Sequence, residues 1–132
     1  MTLAVDTSAL AAIFKGEPDA SAWIDLLIRL SASSALVATD VVWAETASLF
    51  PNLETLQNRM DDLGIGYDPM GEESAFLAGQ SFLAYRRAGG PREHLIPDFL
   101  IAAHAQRQAD GLVTADRGYI RKYFRRLRLH AI

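Results

Sequence analysis

Short apolar runs bounded by turn residues alternate along this chain with segments whose apolar residues recur at helical spacing. Thr2 to Val5, Ala35 to Ala38, Gly64 to Tyr67 and Leu112 with Val113 read as short buried strands. A last strand is expected from Leu127 to Ile132, where Leu127, Leu129 and Ala131 alternate with Arg128 and His130. Helices are expected between them. One runs from Ser8 to Phe14, with Thr7 and Ser8 able to cap it. A second starts around Glu17, Pro18 and Asp19 and carries Trp23, Leu26, Leu27 and Leu30 on one face. Further helices are expected from Val41 to Phe50 with Asp40 as N-cap, from Asn52 to Leu63, and from Glu72 to Arg87 with Phe76, Leu77, Gln80, Leu83 and Ala84 along one side. Ile96, Pro97 and Asp98 open another, since proline has φ preset and no N–H to leave unpaired in a first turn. Tyr119 to Phe124 reads as a short final helix. Strands alternating with helices predict an α/β fold with a parallel sheet covered on both faces, organised as one domain over residues 1–132.

The same pattern places the acids. Asp6 stands where the first strand ends, Glu45 on the helix after the second strand, Asp98 in the first turn of its helix, and Asp116 just beyond the strand that follows. A helix running antiparallel to the next strand has its N-terminus beside that strand's C-terminus, so Asp98 and Asp116 come to one edge. In open α/β sheets that edge is where ligands bind. Four carboxylates gathered there repel one another, and a divalent cation relieves the repulsion. Oxygen ligands without His or Cys favour Mg²⁺ or Mn²⁺ over zinc. Such ions polarise a phosphate and acidify a bound water, so the constellation points to phosphodiester hydrolysis.

Taken singly, each acid also has a structural reading. Asp6 suits a helix cap, Asp98 a helix first turn, and Asp116, before Arg117 and Gly118, a turn. Glu45 is the hardest to explain that way, because it interrupts an apolar helix.

Composition narrows the field. The chain has 132 residues, 50% of them hydrophobic and 22% charged, which is the profile of a globular domain. It has no cysteine, which removes disulfides, thiolate zinc sites and a cysteine nucleophile and agrees with a cytoplasmic setting. There is no basic leader and no apolar run of membrane-spanning length, so no membrane partner is expected. The net charge is −3, but residues 1–85 carry 3 basic and 12 acidic side chains whereas residues 86–132 carry 10 and 4. That asymmetry predicts a basic surface late in the chain, with Arg117, Arg121 and Lys122 nearest the candidate site and able to bind a nucleic-acid backbone. His94, His104 and His130 share no metal-ligand spacing, and His104 is expected to be packed. Trp23 and Trp43 read as core.

VDTSAL with Asp6, VVWAE with Glu45, IPDFLIAAHA with Asp98 and LVTADRGY with Asp116 resemble the four acidic motifs of PIN domains, in that family's order and over essentially the whole chain. Within the family the likeness is to VapC-like ribonuclease toxins of toxin–antitoxin pairs. The resemblance implies a three-layer α/β/α sandwich with a mostly parallel central sheet of about five strands. It also implies an endoribonuclease dependent on Mg²⁺ or Mn²⁺, usually a homodimer, silenced by a cognate antitoxin protein. Asp6, Glu45, Asp98 and Asp116 would be both its catalytic residues and its metal ligands. Ser8 and Thr114 match the family's hydroxyl positions and would orient a carboxylate or a water. In one departure, Arg117, Gly118 and Tyr119 follow Asp116 where some PIN domains add a further acid, which leaves a second ion fewer protein ligands.

Two other functions compete. A non-catalytic PIN-like module would bind RNA or a protein without cutting, and retention of all four acids speaks against it. A phospho-acceptor receiver domain would need an acidic pair near the first strand, whereas only Asp6 stands there.

Overall fold

The computed structural model describes residues 1–132 except Glu93 and Arg117. Its five strands are β1 (Thr2–Val5), β2 (Ala35–Ala38), β3 (Ile65–Tyr67), β4 (Gly111–Val113) and β5 (Leu129–His130). They form one sheet in the order β3-β2-β1-β4-β5, with every pairing parallel. Leu3, Ala4 and Val5 are all buried, as are Gly111, Leu112 and Val113. Successive strand side chains point to opposite faces, so an unbroken buried run means that both faces are covered, as in a sheet with helices above and below.

The chain leaves β1 in one direction towards β2 and β3 and returns on its other side as β4 and β5. The strand order therefore reverses between β1 and β4, and the crevice beyond their C-terminal ends is the switch point. Three helices deliver residues to it. They are α1 (Thr7–Phe14) directly after β1, α3 (Asp40–Ala47) after β2, and α6 (Ile96–Gln108) directly before β4. The remaining helices are α2 (Ala20–Ser31), α4 (Leu53–Asp62), α5 (Glu72–Arg87) and α7 (Gly118–Tyr123).

Four details differ from the sequence pattern. Thr7 and Ser8 do not cap α1: Asp6 occupies the N-cap position without a side-chain cap bond, and both hydroxyls turn to acids instead. The N-cap of α3 is Thr39 rather than Asp40, and the helix ends at Ala47, with residues 48–50 in turns. On α5 the apolar stripe faces outward, with Phe76 69% and Leu83 43% exposed, while Ser74, Ala78, Ser81 and Tyr85 face the protein. Small inward residues let α5 lie close along α6. The last strand shrinks to Leu129 and His130, because only these pair with β4.

His104 is packed, as expected. It is fully buried, with Nε2 2.8 Å from Asp68 Oδ2, and Gln108 on the same helix joins it there. The link from β3 to α5 is thereby tied to α6. No helix among the described residues is long and apolar enough to cross a membrane.

Candidate active site

Asp6 is the centre of the site because β1 ends there, with its N–H still bonded to Val113 of the neighbouring strand at 2.9 Å. Its Oδ2 accepts two hydroxyls, Ser8 Oγ at 2.8 Å and Thr114 Oγ1 at 2.7 Å. Each hydroxyl also accepts an amide from the turn after β4. Ala115 N–H donates to Ser8 at 3.0 Å, and Asp116 N–H donates to Thr114 at 3.0 Å. Ser8 and Thr114 thus join the first acid to the segment that carries the fourth. Thr7, one residue past Asp6, donates its hydroxyl to Glu45 Oε1 at 2.8 Å and links α1 to α3.

Asp98 and Asp116 are held differently. Asp98 Oδ2 accepts the Leu95 N–H at 3.1 Å, closing the first turn of α6. Asp116 Oδ1 accepts the Gly118 N–H at 3.2 Å within its own turn. His94 Nδ1 lies 3.7 Å from Asp98 Oδ2 and 3.6 Å from Asp116 Oδ2, between the two. Tyr119 donates its hydroxyl to the Asp98 carbonyl at 3.0 Å, and its ring centroid is 4.2 Å from that of His94.

The electrostatics tie all four acids into one neighbourhood. Burial pushes the Asp6 carboxyl above the usual aspartate value, the Thr114 and Ser8 hydroxyls pull it back, and the Asp98 charge pushes it up again. Glu45 is also raised, first by lost hydration and then by the charges of Asp6 and Asp98, against the lowering effect of Thr7. The Tyr119 phenol is pushed up by burial and then by Asp98, Asp6, Asp116 and Glu45 in turn. A buried phenol facing four carboxylates does not ionise at neutral pH.

The donor set fits a hard divalent cation: all oxygen, negatively charged, and crowded enough for the Asp98 charge to push up Asp6 and Glu45. Among the described residues no three acidic or imidazole groups already converge closely enough to enclose an ion. The acids form a neighbourhood rather than a finished cage.

Each predicted site residue has a place. Asp6, Glu45, Asp98 and Asp116 come to the switch-point edge, and Ser8 and Thr114 support them. Arg121 and Lys122 are exposed on α7, and Arg117 lies outside the described residues. Sequence reasoning missed Thr7, taken only as a cap, and His94. His94 precedes Asp98 by four residues in a loop without periodicity, so nothing local signals its approach to Asp116.

Several solved structures share this fold. VapBC2 from Rickettsia felis, bound to a DNA fragment from its promoter, aligns with 21% identity and a TM-score of 0.74 over 100% of this chain and 99% of that one. VapBC-1 from nontypeable Haemophilus influenzae gives 18% identity and 0.73 over 99% and 98%. FitAcB from Neisseria gonorrhoeae gives 22% and 0.60 over 98% and 96%. Among curated protein sequences none matches the chain significantly. The family profile described as PIN domain matches residues 3–125, a span that includes β1 from Leu3 onward, all four acids and the β4 turn. On that match, and with a parallel sheet that gathers its motif acids at one edge, the chain belongs to the PIN domain family.

Proposed function

We propose that this protein is a divalent-metal-dependent endoribonuclease, acting as one domain, and the toxin of a toxin–antitoxin pair. Members of the PIN family are generally nucleases that use divalent metals. The observation that carries the reading here is the hydroxyl network that fixes Asp6 beside the Asp116 turn, with Asp98 close enough for its charge to act on both Asp6 and Glu45.

Asp6, Glu45, Asp98 and Asp116 would hold Mg²⁺ or Mn²⁺, which supplies charge neutralisation at the phosphate and a more acidic attacking water. Ser8 and Thr114 keep the Asp6 carboxylate in one orientation by donating to Oδ2. Thr7 does the same for Glu45. Asp98 and Asp116 present the outward half of the site to the substrate, with His94 between them. Arg121 and Lys122, exposed on α7, are the cations available to an RNA backbone, and Arg117 is assigned to the same strip from sequence alone.

The partner reading rests on the structural neighbours, which are VapBC and FitAcB assemblies. A cognate antitoxin would dock a helix on the region from residue 46 to 63, where Leu49 is 39% and Leu53 62% exposed. A homodimer and a cytoplasmic location belong to the same proposal.

The test is cleavage of a fluorogenic single-stranded RNA with Mg²⁺ or Mn²⁺ by the wild-type chain and by Asp98→Asn. Cleavage that needs the ion and is lost in a folded Asp98→Asn protein supports the reading. A fully active Asp98→Asn protein removes that residue from the site. A wild-type chain that neither cleaves RNA nor binds a divalent ion favours the non-catalytic module.

A further inference from the structure

Directly beside the acidic edge lies a cleft of about 370 Å³ with a different lining. One wall is α7, which contributes Tyr119, Lys122 and Tyr123. The other is Tyr85 and the loop from Ala88 to Pro91, and His94 sits at the end nearest the acids. The cleft begins where the carboxylates stop, because the same His94 has its Nδ1 within 3.7 Å of Asp98 and Asp116.

The loop wall is built to hold its shape. Gly89 has φ +81, a left-handed conformation that ends α5. Gly90 N–H returns to the Tyr85 carbonyl at 2.9 Å and Gly89 N–H to the Arg86 carbonyl at 3.1 Å. A Cβ on Gly90 would sit 2.6 Å from the Tyr85 ring, so only glycine lets the loop lie this close. The Tyr85 hydroxyl donates to the Pro91 carbonyl, and Arg86 donates to the Gly90 carbonyl at 2.7 Å.

On the opposite wall Tyr119 and Tyr123 are one turn apart and share a face of α7. Exposed Lys122 carries its Nζ 5.6 Å from the Tyr123 ring centroid. A second groove of about 290 Å³ shares His94 and adds Arg86 and Arg92. The sequence from acids to aromatic rings to flanking cations matches a strand whose phosphates alternate with flat bases. Aromatic rings stack any unpaired base, and cations at the rim take the phosphates. At the small end of ligand-pocket volumes, roughly 300 to 1,000 Å³, the cleft has room for one nucleotide and none for a base pair.

From this juxtaposition we infer that the cleft between α7 and the 88–91 loop is a subsite for a single unpaired nucleotide of single-stranded RNA, its base stacked on Tyr123 and its phosphate at Lys122. That the nucleotide is the one next to the scissile phosphate rests on the nuclease reading above. The subsite favours single strands, since a paired base must first give up its partner to enter.

The test uses the full chain carrying Asp98→Asn, so that bound RNA survives, and a short single-stranded RNA containing 2-aminopurine, whose fluorescence falls on stacking. Binding quenches the probe. Tyr123→Leu weakens binding about ten-fold and removes the quench, whereas Tyr123→Phe restores both. Lys122→Gln weakens binding, flattens its salt dependence and leaves the quench. A duplex of the same sequence binds at least about ten-fold more weakly. Tyr123 also packs on Tyr85 and Phe99, so Ala88→Glu, at the exposed rim, is the second probe and weakens binding without a loss of melting temperature. Unchanged affinity and quench in folded Tyr123→Leu or Ala88→Glu protein, or equal affinity for the duplex, overturns the subsite. If the wild-type chain cleaves RNA while these variants behave as wild type, the subsite fails and the nuclease stands. If the binding pattern holds and the wild-type chain cleaves nothing, the nuclease reading fails and the subsite stands.

Discussion

The two halves of the acidic edge are made differently. Asp6 and Glu45 each receive a side-chain hydroxyl from a residue fixed at the end of a buried strand or on its adjoining helix. Asp98 and Asp116 have side chains 37% and 41% exposed, and the bonds their carboxylates accept come from backbone amides two or three residues away. One half is tied by side-chain bonds that reach across the fold, from Thr114 to Asp6 and from Thr7 to the exposed Glu45, and the other by local turns. The held half sets where charge accumulates. In the proposed nuclease, the open half would be the one that adjusts to an ion and a phosphate.

The largest expected effect removes charge from either half. Asp6→Asn and Asp98→Asn each lower RNA cleavage on the order of 100-fold or more. They part company in stability. The metal-free Asp6→Asn protein melts higher than wild type, because a carboxylate that burial disfavours has been replaced by an amide able to accept the same two hydroxyls. Asp98→Asn shifts the melting temperature less. Equal melting shifts would remove the distinction between the halves.

Next comes Thr114→Val. Thr114 is fully buried, donates to Asp6 and accepts the Asp116 N–H, so valine leaves both partners short. The cost is about 1–3 kcal/mol, read as a fall of roughly 4 °C in melting temperature for each kcal/mol. Thr7→Val breaks a single bond on an exposed glutamate and costs less.

The pH dependence has a definite sign. Asp6 and Glu45 have raised pKa values in the folded protein, so the folded state holds those protons more tightly than the unfolded chain. Their contribution favours folding below the ordinary carboxylate range of about 4 and is lost as pH rises through the raised values. The metal-free melting temperature carries that downward component over the window, and Asp6→Asn flattens it more than Asp98→Asn, whose charge is a minor cause of the Asp6 shift. Added Mg²⁺ raises the melting temperature more at pH 8 than at pH 5, since the ion competes with those protons. The smallest effect is expected from His94→Gln, which changes divalent affinity within about five-fold and leaves stability unchanged, as befits a partly exposed contact.

Much of this was legible in the chain. The strand ending in Asp6, the proline-opened helix with Asp98 in its first turn and the short strand before Thr114 follow from local rules that tertiary contacts do not overturn. What escaped depends on long-range partners. Ser and Thr at a helix start usually cap it, and nothing local reveals that Glu45, 38 residues on, and Asp6 take those hydroxyls instead. The apolar stripe of α5 misled because α6 offers it a close neighbour, which rewards Ser74, Ala78 and Ser81 over Phe76 and Leu83. His94 gains its meaning only when the β4 turn brings Asp116 alongside.

In the proposed nuclease the four acids act as one cation site. Mn²⁺ titration followed by electron paramagnetic resonance on the wild-type, Asp6→Asn and Asp98→Asn chains tests it directly. The expected result is binding to wild type that is lost in both variants, one from each half. Undiminished Mn²⁺ binding in either folded variant, or none in the wild-type chain, would contradict it.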